Sequence, residues 1–208
     1  ICGVERGTID LSHELLENNH VSGVISAGGH LVESLESHGA QHFKLPIAKK
    51  NFLALKQYRK LREIYAEFEP DIIHVRSRFH AWINFLALKN FSHFRPIVIS
   101  TFHGLYSKPF YRKSMAYADE IITISKTVDE YVLKNYSVNK ENLHLIYRGC
   151  DLEEFNTSDV TEEWKKDWFD EFPQTKNKTL LTLPGRITSW KGIESFMSLI
   201  KNLKGKNF

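Results

Sequence analysis

His103 stands at a position where α/β proteins place reactive side chains. It follows an apolar, β-branched run at 97–101, which is typical of a buried strand, and it precedes Gly104. Parallel α/β sheets bind ligands beyond the carboxyl ends of their strands, and an imidazole there can exchange a proton or a hydrogen bond with a substrate. The alternative is a purely structural histidine, which is our interpretation of most of the ten histidines. We predict that His103 is catalytic.

A basic pair lies near the end of the sequence. Arg186 and Lys191 fall in a glycine-containing loop between a predicted strand at 179–183 and a predicted helix at 193–203. A guanidinium, an ammonium and the N–H groups of a helix N-terminus can together bind a diphosphate. Either residue alone would be explained by a solvated basic turn, and the combined context favours a binding site.

A third candidate is the glycine-containing segment at 3–7, which includes Gly3, Glu5 and Arg6 and stands at the mouth of the first predicted helix. The free N–H groups and the dipole of a helix N-terminus favour an anion such as phosphate. A turn that needs glycine explains the segment as well. Arg76 and Arg78 follow another strand-like run, at 72–75, where they could meet an anionic acceptor.

These residues belong to an alternation of strand and helix patterns, which predicts a parallel sheet covered by helices. The helices have apolar residues at helical spacing, and the strands are short apolar runs. Strands are predicted at 21–27, 43–45, 72–75, 97–101, 121–124 and 143–147. Helices are predicted from the start of the chain, near 31–38, at 52–68, around Trp82, at 111–117, around Val128 and around Trp164.

The length of 208 residues suits one α/β domain and part of a second. We predict a first domain at 1–155, a polar linker at 156–178 and the start of a second domain at 179–208. The 42% hydrophobic content is that of an ordinary globular protein, and no apolar run approaches the ~20 residues of a membrane-spanning helix. A net charge of only +3 argues against a nucleic-acid partner.

Cysteine and histidine spacing gives no sign of a metal or disulfide framework. Cys2 and Cys150 lie far apart, and His38 and His42 are separated by a glycine that should end their helix. We predict no metal site and a cytoplasmic protein. The chain begins with isoleucine rather than methionine, and we expect its true start to be missing.

The ordered set of motifs resembles family 4 glycosyltransferases of the GT-B fold, particularly bacterial members that build lipopolysaccharide and other envelope glycans. The resemblance covers essentially the whole chain. It rests on Gly3-Val4-Glu5-Arg6-Gly7, His103-Gly104, Tyr147-Arg148-Gly149-Cys150-Asp151 with Phe155, and Pro184-Gly185-Arg186 with Lys191-Gly192.

The resemblance implies a doubly wound Rossmann-like acceptor domain followed by a Rossmann-like donor domain. It implies a retaining enzyme that needs no metal and uses a nucleotide-sugar donor, usually linked to UDP, with a glycan or lipid-linked acceptor. By this resemblance His103 contacts the transferred sugar, and Gly3, Arg186 and Lys191 lie at the donor diphosphate. We assign Glu5 and Arg6, with the two arginines after 72–75, to acceptor binding.

The sequence departs from the family pattern at two positions, because Arg148 replaces the commoner asparagine and Cys150 the commoner valine. We therefore give this segment little weight as a site. The family's paired glutamates belong downstream of Lys191, beyond Phe208; Glu163 and Glu171 have their spacing but lie upstream. We expect the chain to lack its first strand and most of the donor domain, and not to transfer sugar alone.

The predicted helix at 52–68 has a basic side, with Lys56, Arg59, Lys60 and Arg62 on it and Lys49 and Lys50 before it. In the family such a face can rest on anionic lipid at the inner side of the plasma membrane. A solvated helix face is the alternative. Two rival functions also remain: a nucleotide-sugar epimerase of the same fold, and a non-enzymatic two-domain sugar-binding protein of the periplasm.

Overall fold

The computed structural model describes residues 3–49, 51–106, 110–153, 155–156, 160–188 and 191–203. The chain divides into two compact units between Gly149 and Cys150. No helix among these described residues is long and apolar enough to cross a membrane.

The first unit alternates strands and helices, as the sequence patterns predict. Its strands are β1 (Gly23–Ser26), β2 (Gln41–Lys44), β3 (Ile72–Val75), β4 (Ile97–Phe102), β5 (Glu120–Thr123) and β6 (Leu143–Leu145). Its helices are α1 (Gly3–Glu17), α2 (Val32–Ser37), α3 (Phe52–Leu55), α4 (Tyr58–Phe68), α5 (Arg78–Leu88) and α6 (Lys126–Asn135), with 3₁₀ helices at Phe110–Tyr117 and Lys140–Asn142.

All strand pairs of the first unit are parallel. β1 pairs with β2, and β3, β4, β5 and β6 form a second sheet in that order. Each predicted strand of this unit therefore exists, with bounds that differ by a few residues at most. Runs such as Ile72–Val75 form strands because β-branched side chains pack well on a pleated, covered surface. The predicted α/β fold class is confirmed.

The core fixes the carboxyl end of β4, from which His103 projects. Phe102, the last residue of β4, is fully buried, and its ring centroid lies 5.1 Å from that of Tyr136. The Ser100 hydroxyl, also fully buried, donates a hydrogen bond to the Met115 carbonyl at 2.8 Å. Because these side chains anchor β4 to the 3₁₀ helix and α6, the next residue leaves the sheet from a rigid point.

The single helix predicted at 52–68 is corrected to two helices. The Asn51 side chain accepts a hydrogen bond from the Ala54 N–H at 2.8 Å and caps α3. The Gln57 N–H then donates to the Ala54 carbonyl at 3.1 Å, an i to i+3 bond that tightens the chain and separates α3 from α4. α4 ends where expected, with Glu69 in the left-handed region at φ 47° before a proline.

The second unit contains α7 (Glu162–Glu171), a 3₁₀ helix at Pro173–Thr175, and α8 (Ile193–Leu203). α7 confirms the predicted short helix around Trp164, and on it the rings of Trp164 and Trp168 stack with centroids 5.6 Å apart. The strand predicted at 179–183 is not formed. A strand requires backbone partners, and no strand in the described part of the chain pairs with these residues.

Candidate functional site

The loop after β4 holds the backbone of His103. Its N–H donates to the Tyr106 hydroxyl at 3.0 Å, and the Tyr131 hydroxyl donates to the Tyr106 carbonyl at 2.6 Å. The Tyr106 ring also stacks on Phe102 at a centroid distance of 5.5 Å. His103 thus lies beyond the carboxyl end of a strand, as predicted, and its backbone is tied to both β4 and α6.

The side chain of His103 is held by Arg148, a residue that sequence reasoning did not assign to the site. Arg148 Nη2 lies 2.8 Å from His103 Nδ1, and Arg148 Nη1 donates to the Gly3 carbonyl at 3.0 Å. The departure from the family pattern at position 148 was the available signal. Arg148 reaches His103 and Gly3 across 45 and 145 positions of sequence, and no local pattern reveals such contacts.

The other ring nitrogen, His103 Nε2, is buried and has no hydrogen-bond partner among the described residues. Burial is the main cause that lowers the pKa of His103 to about 4, and the positive charges of Arg148 and Arg76 and the nearby His74 add to it. His103 is therefore neutral at neutral pH. A neutral imidazole with an unsatisfied buried nitrogen can bind a polar group of a ligand.

A second histidine lies close by on β3. His74 Nε2 is 2.6 Å from the Thr101 hydroxyl of β4, and burial, with the charge of Arg76, lowers its pKa to about 4. His74 thus contributes to the electrostatics of His103 while its own ring bonds to the sheet. Sequence reasoning missed it because a histidine inside a strand carries no sign of its neighbours.

The segment at 3–7 forms the first turns of α1, whereas the sequence placed it at the mouth of that helix or in a turn. The two glycines of the segment instead permit close approach of arginines. A Cβ atom on Gly3 would lie 2.9 Å from Arg148 Nη1, and one on Gly7 would lie 3.2 Å from Arg76 Nη2. Gly3 therefore contacts Arg148, and its assignment to donor binding stays a prediction.

The four residues assigned to acceptor binding are distributed over α1 and the end of β3. Arg76 Nη1 donates to the Gly7 carbonyl at 2.8 Å. Its Nε is buried and has no hydrogen-bond partner in the part of the chain that the structure describes, and burial and Arg148 lower its pKa. The Arg78 guanidinium lies over the Tyr106 ring, 4.7 Å from its centroid. Both arginines therefore lie in the neighbourhood of His103.

The two remaining assigned residues, Glu5 and Arg6, are exposed on the first turns of α1. Arg6 forms an exposed ion pair with Asp10 at 2.7 Å, which contributes little to stability. Their proposed contact with an acceptor stays a prediction.

The basic pair of the second unit lies where the sequence suggests, just before α8. Arg186 and Lys191 are exposed, and the Lys191 N–H donates to the Thr188 carbonyl at 3.0 Å. Gly192 adopts a φ of +75° immediately before the helix, a conformation that favours glycine. In the described part of the chain no group of three or more potential metal ligands is present.

The basic side of α3 and α4 is only partly available to a partner. Arg62 donates from Nε to the Ala87 carbonyl at 2.6 Å, and Lys60 pairs with Glu63 at 2.7 Å. Lys50 lies outside the described residues. The exposed remainder, which we call the α3 face, consists of Lys49, Lys56 and Arg59 beside Phe52 and Leu53, each 69% exposed.

The fold is that of solved glycosyltransferases of the GT-B type. A glycosyltransferase from Rickettsia africae ESF-5 superposes with a TM-score of 0.82 at 29% identity, over 99% of this chain and 55% of that one. Anabaena Alr3699/HepE, crystallised with UDP and glucose, superposes with a TM-score of 0.75 over 97% of this chain and 55% of that one. At 16% identity the second likeness shows the fold alone.

Comparison of the sequence with protein-family models identifies the family. The model of Glycosyltransferase Family 4 matches residues 1–154, and the chain belongs to this family. Two uncharacterized glycosyltransferases of Methanocaldococcus jannaschii are similar: MJ1069 is 31% identical over 105 residues, which are 49% of this chain and 25% of that protein. MJ1607 is 25% identical over 205 residues, 88% of this chain and 51% of that protein. The chain thus spans about half or less of these relatives.

Proposed function

We propose that the protein is a retaining glycosyltransferase that moves a sugar from a nucleotide-diphosphate donor to a hydroxyl of a glycan or lipid-linked acceptor. Membership of Glycosyltransferase Family 4 supports the reaction class. The observation that carries the proposal for this chain is His103, held beyond the end of β4 with a buried Nε2 that has no hydrogen-bond partner within the described ranges. That nitrogen can bind a hydroxyl of the transferred sugar.

In the proposed reaction the bond between the anomeric carbon and the diphosphate oxygen breaks. A bond from that carbon to the acceptor oxygen forms on the same face, and the acceptor proton passes to the departing diphosphate. Arg186 and Lys191 would neutralise the charge that develops on this leaving group, so the chemistry needs no metal ion. The buried environment of His103 strengthens its hydrogen bond to the sugar.

The donor is proposed to be UDP-linked. The Anabaena protein of the same fold was crystallised with UDP and glucose, which supports a nucleotide sugar as the donor class. The acceptor is proposed to carry an anionic group, with Arg76, Arg78, Glu5 and Arg6 on its side of the site. An acceptor in bacterial envelope polysaccharide or lipopolysaccharide synthesis, modified at the cytoplasmic side of the membrane, has this character.

A peripheral contact with anionic membrane is proposed through the α3 face. Two exposed apolar side chains, Phe52 and Leu53, stand beside three exposed cations there. Apolar side chains can enter the headgroup region, while each lysine or arginine near an anionic surface contributes ~1 kcal/mol.

The test is turnover of UDP-, GDP- and ADP-linked sugars by the protein encoded by the complete reading frame, with the released nucleotide and the sugar product both identified. We expect nucleotide release with one donor class and attachment of the sugar to an acceptor. His103→Ala should abolish turnover, whereas His20→Ala, an exposed histidine after α1, should not.

Three results would contradict the proposal. An epimerised sugar formed from the donor alone would indicate the rival enzyme, and full activity of His103→Ala would assign that residue a structural role. If replacing Arg186 and Lys191 by alanine leaves nucleotide-sugar binding equal to that of Lys178→Ala, an exposed lysine of the same unit, the diphosphate site is wrong.

A further inference from the structure

The contact between Arg148 and His103 restricts which ring nitrogen carries the proton. A guanidinium has only N–H donors and remains protonated in proteins. Arg148 Nη2 lies 2.8 Å from His103 Nδ1, so this nitrogen must present its lone pair. In a neutral imidazole the proton then resides on Nε2.

We propose that Arg148 is a positioning residue that fixes His103 in the neutral tautomer with Nε2 protonated. His103 then acts as a hydrogen-bond donor and not as a general base. That a sugar hydroxyl accepts this hydrogen bond rests on the proposed function. The tautomer of His103 does not rest on it.

Arg148 is well fixed for this role. Its Nη1 donates to the Gly3 carbonyl at 3.0 Å, so both terminal nitrogens of the guanidinium are engaged, one on α1 and one on His103. The absence of a Cβ on Gly3 leaves room for the guanidinium, which a side chain would approach at 2.9 Å. The backbone of His103 is held independently by the Tyr106 hydroxyl, so ring and main chain are fixed from two directions.

The groups that face His103 favour the same state. Arg148, Arg76 and His74 each lower its pKa, after burial as the largest cause, to about 4. The Tyr106 hydroxyl already accepts a hydrogen bond from the backbone N–H of His103. An Nδ1 proton would point at the Arg148 guanidinium, and a doubly protonated ring would place a cation beside Arg148 and Arg76. Both alternatives cost electrostatic energy in this half-buried setting.

The direct test is nitrogen-15 NMR of the unliganded protein labelled on histidine, with the His103 signals assigned by their loss in His103→Gln. We expect an unprotonated Nδ1 and a protonated Nε2 at pH 7, and no change down to about pH 5, because the pKa is about 4. A protonated Nδ1 in the unmodified protein would overturn the proposal without reference to any activity.

Variants test the part of Arg148. In Arg148→Ala the His103 pKa should rise toward its ordinary value of 6.5, and the ring nitrogens should show a mixture of states; Arg148→Lys, which keeps a cationic donor, should restore the single tautomer in part. Arg95→Ala removes an exposed arginine that pairs with Asp119 and should change neither signal. Unchanged His103 signals in both Arg148→Ala and Arg148→Gln would refute the assignment.

Kinetics separate this inference from the proposed function. If the protein transfers sugar, Arg148→Ala should lower kcat by about 100-fold through misorientation of His103, with little change in the donor KM. The acid limb of the pH profile of kcat should move to higher pH, because the His103 pKa rises. Arg148→Lys should recover part of kcat. If the protein does not transfer sugar but His103 shows the expected tautomer, the proposed function is rejected and the inference about Arg148 stands.

Discussion

The guanidinium of Arg76 donates a hydrogen bond to the backbone carbonyl of Gly7 at 2.8 Å, across 69 positions of sequence. Arg148 makes the equivalent bond to Gly3, one helical turn earlier. Residues four apart share a face of a helix, so two arginines from the strand ends bind one face of α1. The glycine spacing that suggested an anion site at a helix N-terminus also lets arginines approach the backbone beside His103.

Gly3→Ala should change the surroundings of His103 without lowering the stability of the fold. Alanine favours a helix interior over glycine by up to about 1 kcal/mol, of which only a part applies at Gly3 because this residue opens α1. The Cβ of the alanine would meet Arg148 Nη1 at 2.9 Å. Because a side-chain end can move away, we expect the free energy of unfolding to hold or rise and the His103 pKa to increase. Denaturant unfolding and NMR titration measure the two quantities. Glu17→Ala, exposed on the same helix, should leave the His103 pKa unaltered; a pKa equally unaltered in Gly3→Ala would contradict the role of Gly3.

Stability should fall as the pH falls from about 6.5 to 4. His74 and His103 both have a pKa of about 4 in the folded protein, against 6.5 as the ordinary value. Between these values the unfolded state binds more protons than the folded state, so the free energy of unfolding rises with pH there and decreases on acidification. Urea unfolding at several pH values measures the slope. His103→Gln should make this slope shallower, and a slope identical to that of the unmodified protein would be inconsistent with a buried neutral His103.

Phe102→Ala should lower the free energy of unfolding by about 3–5 kcal/mol. Phe102 is fully buried between the rings of Tyr106 and Tyr136, so truncation leaves a cavity directly behind His103. Phe52→Ala is the matched control, because that ring is 69% exposed and its loss should cost less than about 0.5 kcal/mol. Equal costs at the two positions would contradict the burial of Phe102 in the core.

The α3 face should bind vesicles of phosphatidylglycerol and phosphatidylcholine more strongly than vesicles of phosphatidylcholine alone. Lys56→Glu with Arg59→Glu should weaken this binding, because attraction to the anionic surface becomes repulsion. Lys176→Glu with Lys178→Glu makes the same charge change at exposed positions of the second unit and should have little effect. Flotation at increasing salt measures both. Equal loss in the two double variants would indicate a response to net charge and not to this face.

The sequence predicted the fold where local patterns decide it. The apolar runs at 72–75 and 97–101 form β3 and β4, since a continuous β-branched run between breakers has few other stable arrangements. The position of His103 after β4 followed from the same reasoning. The gap between α3 and α4 could not be seen, because an i to i+3 bond at Gln57 leaves the helical spacing of apolar residues almost unchanged.

The surroundings of His103 were beyond local reasoning for a different reason. Arg148, Arg76 and His74 reach it from other strands, and their effect depends on burial, charge and ring orientation in the folded chain. The residues at 179–183 have a strand-like composition, yet strand pairing needs a partner that composition does not supply. Patterns along the chain therefore located the candidate residue, whereas its chemical state required the assembled structure.

The order of strands in the larger sheet has a kinetic consequence. β3, β4, β5 and β6 lie side by side in chain order, through pairs such as Ile72 with Ile97 and Ile121 with Leu143. The Arg148 bond to Gly3, by contrast, closes a loop of 145 positions, and the entropic cost of closure increases with loop length. We expect refolding to restore far-ultraviolet circular dichroism before the His103 NMR signals reach their native positions; simultaneous recovery would argue against this order. A nascent chain would thus gain its sheet first and the hydrogen bonds that hold the His103 ring last.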